Sequence, residues 1–395
     1  PRRFHISRLQ RGCGYKRDIR LRAVMFDTIV IGAGIAGVSV AYWLKEEGQS
    51  VLLVDKKGLL AGASGAAGAF LSPRLGKGGE LQRITNEAYL FALEFYKKNT
   101  PHSFFQKGLA RVPKDDEDAK RFHEYRRHLK IPFKLCGRED LPFLSKESLI
   151  DEAICFEEAA FVDPMGAAKS LSDGVQTIFG IDAKPTRESG VWRVGKFKAK
   201  NIVISTGAER LPIEAPYLEI SGLWGERVDI KTSAKIPMTI HKRISVSANV
   251  EGVVRVGATH VRDDERSEIE RVNSLIVDAI GMVPALKDQT LLRIYAGRRS
   301  SVSDHFPVVG ALADLHRTYK TLGVPSKNVK PESSEIDRIE GCFIAGCYGG
   351  RGFVFAPLMG KALANKILKG EAVNPLASPD RYLLRYLRKN RFKSA

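Results

Sequence analysis

The sequence predicts an α/β protein in which a parallel sheet, assembled from distant parts of the chain, carries a second unit of antiparallel sheet. Three observations lead there. Apolar, strand-like runs that end in glycine turns stand near the start (Thr28 to Ile31), the middle (Lys200 to Ala208) and the end (from Gly341) of the 395 residues. Between them, "RISVSANVEGVVRVGATHV" alternates polar and apolar residues, the period of a half-buried strand, with a turn expected at Glu251–Gly252. Residues 80–150 are charged and helix-rich, punctuated by Pro101, Pro113, Pro132 and Pro142. The expected division is therefore 25–79, 155–215 and 335–372 in the parallel unit and 80–154 and 216–334 in the other. A basic leader (1–24) and a basic tail or helix (373–395) flank them.

The first element is the most explicit. In "FDTIVIGAGIAGVSVAYWLKEEGQSVLLVDK", Thr28 to Ile31 is β-branched and apolar, as a strand covered on both faces should be. Ala36 to Glu47 has helical spacing, Gly48 ends the helix, and Val51 to Val54 is a second buried strand closed by Asp55. Gly32, Gly34 and Gly37 form G-x-G-x-x-G. The first glycine permits the tight turn, the second lets backbone approach a pyrophosphate, and the third packs helix on strand. Asp55 stands 21 residues after Gly34, where an acid bonds a ribose hydroxyl. Strand, turn, helix, strand and acid in register point to a dinucleotide, with Gly32, Gly34, Ile35, Ala36, Gly37, Asp55 and Lys56 as candidate contacts. Position alone does not choose between NAD and FAD.

Composition narrows the class. Five scattered cysteines, an odd number, make no disulfide framework, and a reducing cytoplasmic setting is the natural reading. No C-x-x-C or metal-ligand spacing is present, so no metal is expected. The longest apolar run, Met25 to Leu44, is interrupted by Asp27 and three glycines, which argues against a signal peptide or membrane span. The net charge of +18 is concentrated at the ends: residues 1–24 hold eight basic residues and one acid, residues 381–395 six and none. Two basic ends on a nearly balanced body suggest a polyanion partner, nucleic acid first; solvated tails are the plain alternative.

Further segments carry a resemblance to the amino-acid-oxidase superfamily of flavoproteins. They are the G-x-G-x-x-G turn, the "ASG" helix entry (Ala63, Ser64, Gly65), the "TGA" turn (Thr206, Gly207, Ala208) and the C-terminal glycine loop and helix from Gly349 to Ala364. The resemblance implies FAD, a discontinuous Rossmann-like FAD-binding domain and an antiparallel-sheet α+β substrate domain. It adds Ala63, Ser64, Thr206, Gly207, Gly349, Gly350, Arg351, Gly352 and Phe353 to the cofactor candidates. It also implies that the helix entered through "YGGRG" directs its free N–H groups and positive dipole end at the flavin's carbonyl side. Some relatives attach the flavin through a cysteine where this chain has Gly297, so non-covalent FAD is implied. Asp163–Pro164 resembles a helix entry of the same superfamily.

Within it, "AGRRSSVSDHFPVVG" (Ala296 to Gly310) is similar to the FAD half of the bifunctional tRNA 5-methylaminomethyl-2-thiouridine biosynthesis family, through Asp304, His305, Pro307, Val309 and Gly310. The glycine loop with Arg351 and the closing "SPDRYLLRYLRK" lean the same way, whereas "ASGAAGAFLSPRL" departs from that family's more polar loop near Ala66 and Ala67. The leader "RGCGYKRDIRLRA" resembles the end of the methyltransferase half, through Gly12, Gly14, Lys16 and Arg17. An upstream-extended start, with Met25 the first residue, is the alternative.

The resemblance implies oxidation of the carboxymethylaminomethyl group on a tRNA wobble uridine. FAD accepts a hydride from the secondary amine, and the imine hydrolyses to aminomethyl-uridine and glyoxylate. tRNA is then a substrate and a separate methyltransferase a potential partner. Arg299 occupies the position where glycine-oxidase-like relatives bind a carboxylate; its rival role is a surface ion pair. Arg298 reads as solvated or phosphate-facing. His305 is a candidate flavin or nucleotide contact or a turn residue, and Arg351 a candidate contact to substrate phosphate or flavin, or packing inside its loop. Tyr295 reads as cavity wall, and Cys342 and Cys347 as small-residue packing. Two rival functions share the cofactor motifs: an oxidase of a free amino acid of glycine, sarcosine or D-amino-acid type, and a catalytically silent FAD-containing RNA-binding protein.

Overall fold

The computed structural model describes residues 25–149, 151–262, 269–322 and 333–389. The basic leader, with its resemblance to a methyltransferase end, and residues 390–395 lie outside the described residues.

The five central strands of the first sheet are parallel, in the order Arg338–Gly346, Phe197–Ile204, Met25–Ile31, Val51–Asp55, Gln176–Phe179. Their residues are apolar on both faces because both faces are covered. Val30, Leu53, Val203 and Ala345 pack against the helices Ile35–Glu46, Glu80–Asn99 and Gly352–Lys369. The alternate residues Ile29, Ile31, Leu52, Val54, Ile202 and Ile204 pack on Trp192, Tyr217, Leu383 and Leu387. A hairpin, Thr186–Glu188 with Val191–Val194, adds antiparallel strands beside Phe197–Ile204.

Val308–Ala313, expected in the antiparallel unit, instead pairs with Arg338–Gly346 at the edge of this sheet. Its sequence, VVGALA, has no polar residue and none of the alternation of a half-exposed strand.

The second sheet orders its eight strands Thr290–Ser301, Ser221–Lys231, Val253–Gly257, Ser245–Val246, Thr239–His241, Leu109–Arg111, Ala153–Phe156, Lys134–Cys136. All pairs are antiparallel except Thr239–His241 with Leu109–Arg111. The predicted turn is present, with Glu251 and Gly252 at φ 52° and 80°. Period-two alternation divides the sheet. One cross-strand row, Val228, Val256, Val246, Ile240 and Ala110, packs in a core with Val272, Leu275, Ala279 and Met282 of the helix Ile269–Met282. The next row, Arg227, Gly257, Ser245, His241 and Arg111, lines the opposite face, toward the first sheet.

Cys136 and Cys155, on neighbouring strands at the far edge, are joined by a disulfide, which the scattered cysteines had not announced. Their separation of 19 residues is no signal by itself; strand register brings them together. Cys342 and Cys347 are free and buried, and burial pushes both thiols up to about 12, as expected of packing residues.

The closing basic helix is Asp380–Lys389, docked by Leu383 and Leu387. Its basic residues Arg381, Arg385 and Arg388, three and four residues apart, are not uniformly free. Arg381 bonds Asp304 with Nε at 2.9 Å and the carbonyls of Phe306 and Ser378 at 3.1 and 2.8 Å, and lies over the Tyr382 ring. Arg388 also has a partner, and Arg385 is exposed.

Candidate active site

A cavity of about 830 Å³ lies between the two sheets. Its floor is the C-terminal end of the parallel strands. Gly32 leaves the first strand at φ 107°, and a Cβ there would collide with the Ser205 carbonyl of the neighbouring strand end. A Cβ on Gly37 would collide with the Gly32 carbonyl, so the helix Ile35–Glu46 approaches the turn as closely as backbone allows. Ser64 Oγ accepts from the Ile35 amide at 3.0 Å and so ties the small-residue loop to this helix N-terminus. Asp55 accepts from the amides of Ala33 (2.9 Å), Lys57 (2.7 Å) and Gly58 (3.0 Å).

Of the sequence-predicted cofactor residues, Gly32, Gly34, Ala36, Asp55, Ala63, Ser64, Thr206, Gly207, Gly349, Gly350, Arg351, Gly352 and Phe353 all line this one cavity. Ile35 and Gly37 stand behind it in the first helical turn, and Lys56 does not line it but pairs at 2.9 Å with Glu209, which does. Lys57 is the lysine on the cavity.

Opposite, the Thr290–Ser301 strand brings Arg299 into the cavity. Its guanidinium lies against Gly225, where a Cβ would collide with it. Among the described residues no carboxylate pairs with Arg299, and burial lowers its pKa. His260, beside it, is held below the usual histidine range by desolvation and by the Arg299 charge. Tyr295 is not on the cavity but stacks 4.0 Å from the Arg227 guanidinium. His305 lines the cavity in a left-handed turn, φ 62°, its amide bonded to the Val302 carbonyl. Arg351 reaches across to the Ser72 carbonyl at 2.9 Å.

A charged layer joins the two halves. Arg255 bonds the Val162 carbonyl at 2.6 Å and Asp163 at 3.2 Å, while Arg227 pairs with Asp229 at 3.1 Å and bonds the Ala67 carbonyl. Asp163 in turn caps the helix Pro164–Ser172 through the Gly166 amide at 2.7 Å, the entry expected of Asp163–Pro164. Sequence reasoning passed over Arg74, Arg111, Arg227, His241 and His260, all on the cavity. Arg111, Arg227 and His241 stand on strands, where polar residues on one beat of the alternation were the one signal; Arg74 and His260 lie in connecting segments and had none.

This arrangement coincides with a known family description, FAD dependent oxidoreductase, which matches residues 27–366. The chain belongs to that family. Members bind FAD, and the cavity fits it. The glycine turn admits close backbone approach. Ser205 Oγ, Thr206 Oγ1 and the Tyr348 hydroxyl are buried without hydrogen-bond partners in the loops that would hold the cofactor. Among curated relatives of this FAD-dependent oxidoreductase is the tRNA 5-methylaminomethyl-2-thiouridine biosynthesis bifunctional protein MnmC of Campylobacter concisus (strain 13826). It is 28% identical over 91% of this chain and 60% of its own length. The MnmC protein of Burkholderia pseudomallei (strain 668) is 24% identical over 98% of this chain and 63% of its own. The chain thus spans about three-fifths of the length of these relatives. Glycine oxidase from Geobacillus kaustophilus superposes with a TM-score of 0.72 at 19% identity, covering 89% of this chain and 97% of that one. L-proline dehydrogenase from P. horikoshii does so with 0.72 at 20%, covering 90% and 97%. These likenesses establish the fold. No helix among the described residues is long and apolar enough to cross a membrane.

Proposed function

We propose that the chain oxidises the carboxymethylaminomethyl group of a tRNA wobble uridine, releasing glyoxylate and leaving aminomethyl-uridine. The observation that carries this reading is Arg299, a half-buried guanidinium facing the flavin cavity with no carboxylate partner of its own among the described residues. A fork of donors in a desolvated site suits a substrate carboxylate.

The loops at Gly32, Ser64, Thr206 and Gly349 to Phe353 would hold FAD non-covalently, and the cofactor would supply a two-electron oxidation of the carbon–nitrogen bond. Arg299 orients the carboxylate, so the neighbouring C–H is presented in one direction. His260, kept neutral by desolvation and by Arg299, adds no second charge beside the amine. Partial desolvation between the two sheets disfavours an ammonium and so favours the neutral amine that the oxidation needs. Water then adds to the imine and divides it into amine and glyoxylate. The exposed Arg385 and Lys389 of the last helix supply basic surface for the tRNA backbone, and the sequence of residues 1–24 adds basic charge. The setting is cytoplasmic, and a methyltransferase acting next on the amine is a partner.

The alternative reading is an oxidase of a free amino acid, favoured by the superposition on glycine oxidase. Glyoxylate release by the FAD-loaded chain is measured with carboxymethylaminomethyl-modified tRNA and with free glycine. Release from tRNA alone supports the first reading, and release from glycine alone replaces it. Release from neither leaves a flavoprotein that binds RNA without turning it over.

A further inference from the structure

One corner of the cavity holds no group that acts on the substrate in the chemistry above, although Arg351 there also belongs to the glycine loop assigned to FAD. Arg111 and His241 face each other on adjacent strands, Arg351 arrives from the glycine loop, and Arg74 from the segment after the small-residue loop. The three guanidiniums are close enough to depress one another: Arg351 feels Arg111 and Arg74, and Arg111 feels Arg74. His241 is held neutral by burial and by the Arg111 and Arg351 charges. Among the described residues no carboxylate forms an ion pair with Arg74, Arg111 or Arg351. Asp118 acts on Arg111 only at a distance, and its carboxylate accepts from the Lys114 amide at 3.1 Å. Arg111 Nε and His241 Nε2 are buried with no hydrogen-bond partner, although His241 is only 9% exposed.

Apart from Arg299, the fold pairs comparable arginines of this half with acids: Arg227 with Asp229, Arg255 with Asp163, Arg271 with Glu226. Guanidiniums do not lose their proton in proteins, so this corner holds three uncompensated positive charges next to two orphaned nitrogens. Such a cluster is costly unless an anion completes it. It is also distinct from Arg299, which stands on the edge strand Thr290–Ser301, with four strands between it and Leu109–Arg111.

We propose that Arg74, Arg111 and Arg351, with His241 between them, form a second oxyanion subsite, so that the substrate carries two acidic groups, one toward Arg299 and one here. The inference rests on the cavity being the substrate site. In a tRNA substrate the second group is a backbone phosphate beside the modified base; in a free amine it is a second carboxylate.

The test uses the FAD-loaded chain, so that the pyrophosphate loops are filled. Binding of inorganic phosphate is followed by calorimetry and by the flavin's visible band, and acetate binding reports Arg299 in parallel. Phosphate should bind the parent. Arg74→Met/Arg111→Met should weaken it at least tenfold and leave acetate binding within twofold, and Arg299→Met should do the reverse. If the double variant does not load FAD, Arg74→Met alone, at the less buried position, should weaken phosphate at least threefold. Tighter binding of uridine 5′-monophosphate than of phosphate identifies a nucleotide source. Succinate binding tighter than acetate, with the nucleotide no better than phosphate, identifies a dicarboxylic amine. No phosphate binding to the parent, or equal binding to parent and variant, overturns the subsite. Neither result depends on turnover, so the proposed reaction stands or falls separately.

Discussion

Arg299→Met is the sharpest perturbation of the proposed chemistry. The side chain lies against Gly225, and methionine keeps most of its bulk there while removing the charge. No acid of the described chain is left unpaired by the change, so the loss falls on the substrate's carboxylate and not on folding. Truncating one partner of a buried, hydrogen-bonded charge pair costs about 2–5 kcal/mol. The mouth of the cavity beside His260 is exposed, which places this pair toward the lower end. About 2–4 kcal/mol of transition-state stabilisation corresponds to a roughly 30- to 900-fold fall in kcat/KM. Arg299→Lys should recover only part, because an ammonium is a point charge and not a fork. The assay is single-turnover bleaching of the flavin by modified tRNA, with FAD content measured on the same samples. Parental bleaching rates and an unchanged half-saturating tRNA concentration in Arg299→Met would refute the reasoning.

Arg381→Ala should lower stability to urea by about 1–2 kcal/mol, since it removes the ion pair to the part-exposed Asp304, which keeps the Phe306 amide, and frees two carbonyls. The salt dependence of tRNA binding should stay unchanged in that variant, whereas Arg385→Ala should flatten the log–log slope by just under one unit if it meets a phosphate. Gly32→Ala places a Cβ on the Ser205 carbonyl at a backbone angle that side chains avoid, and the purified variant should lack flavin absorbance. Asp27 is held down to about 2, from an ordinary 3.8, by hydrogen bonds from Lys200 and Ser50. A carboxylate with a depressed folded-state pKa stabilises fully above its unfolded value and loses that contribution as pH falls toward the folded one. Asp27→Asn should therefore cost about 1–2 kcal/mol at neutral pH, less than the bare shift because solvent screens the pair, and nothing near pH 2. Denaturant midpoints across that range check it.

Local signals made the first half of the site legible. The turn at Gly32 to Gly37 and the acid at Asp55 are consecutive in the chain, and each is dictated by backbone sterics or burial that the sequence itself displays. Arg299 was legible only through resemblance, because nothing in "AGRRSS" ranks the two arginines. Both line the cavity, and they differ in that Arg298, opposite Trp224, is exposed whereas Arg299, opposite Leu223, is half-buried. Arg111 and His241 are 130 residues apart and meet through one parallel pairing inside an otherwise antiparallel sheet, a juxtaposition no periodicity reports. Arg381 looked like one of three equivalent basic residues on a helix. Its partner Asp304 lies 77 residues earlier, so its burial could not be read from helical spacing.

The Arg381–Asp304 pair bears on where this molecule can be cut. A fragment trimmed after the helix Gly352–Lys369 would keep every residue of the glycine loops and look complete. It would lack Leu383 and Leu387, which plug the underside of the parallel sheet, and the counter-charge of Asp304, the neighbour of His305. The last helix is thus the latch of the flavin chamber, and the smallest working enzyme must extend through it.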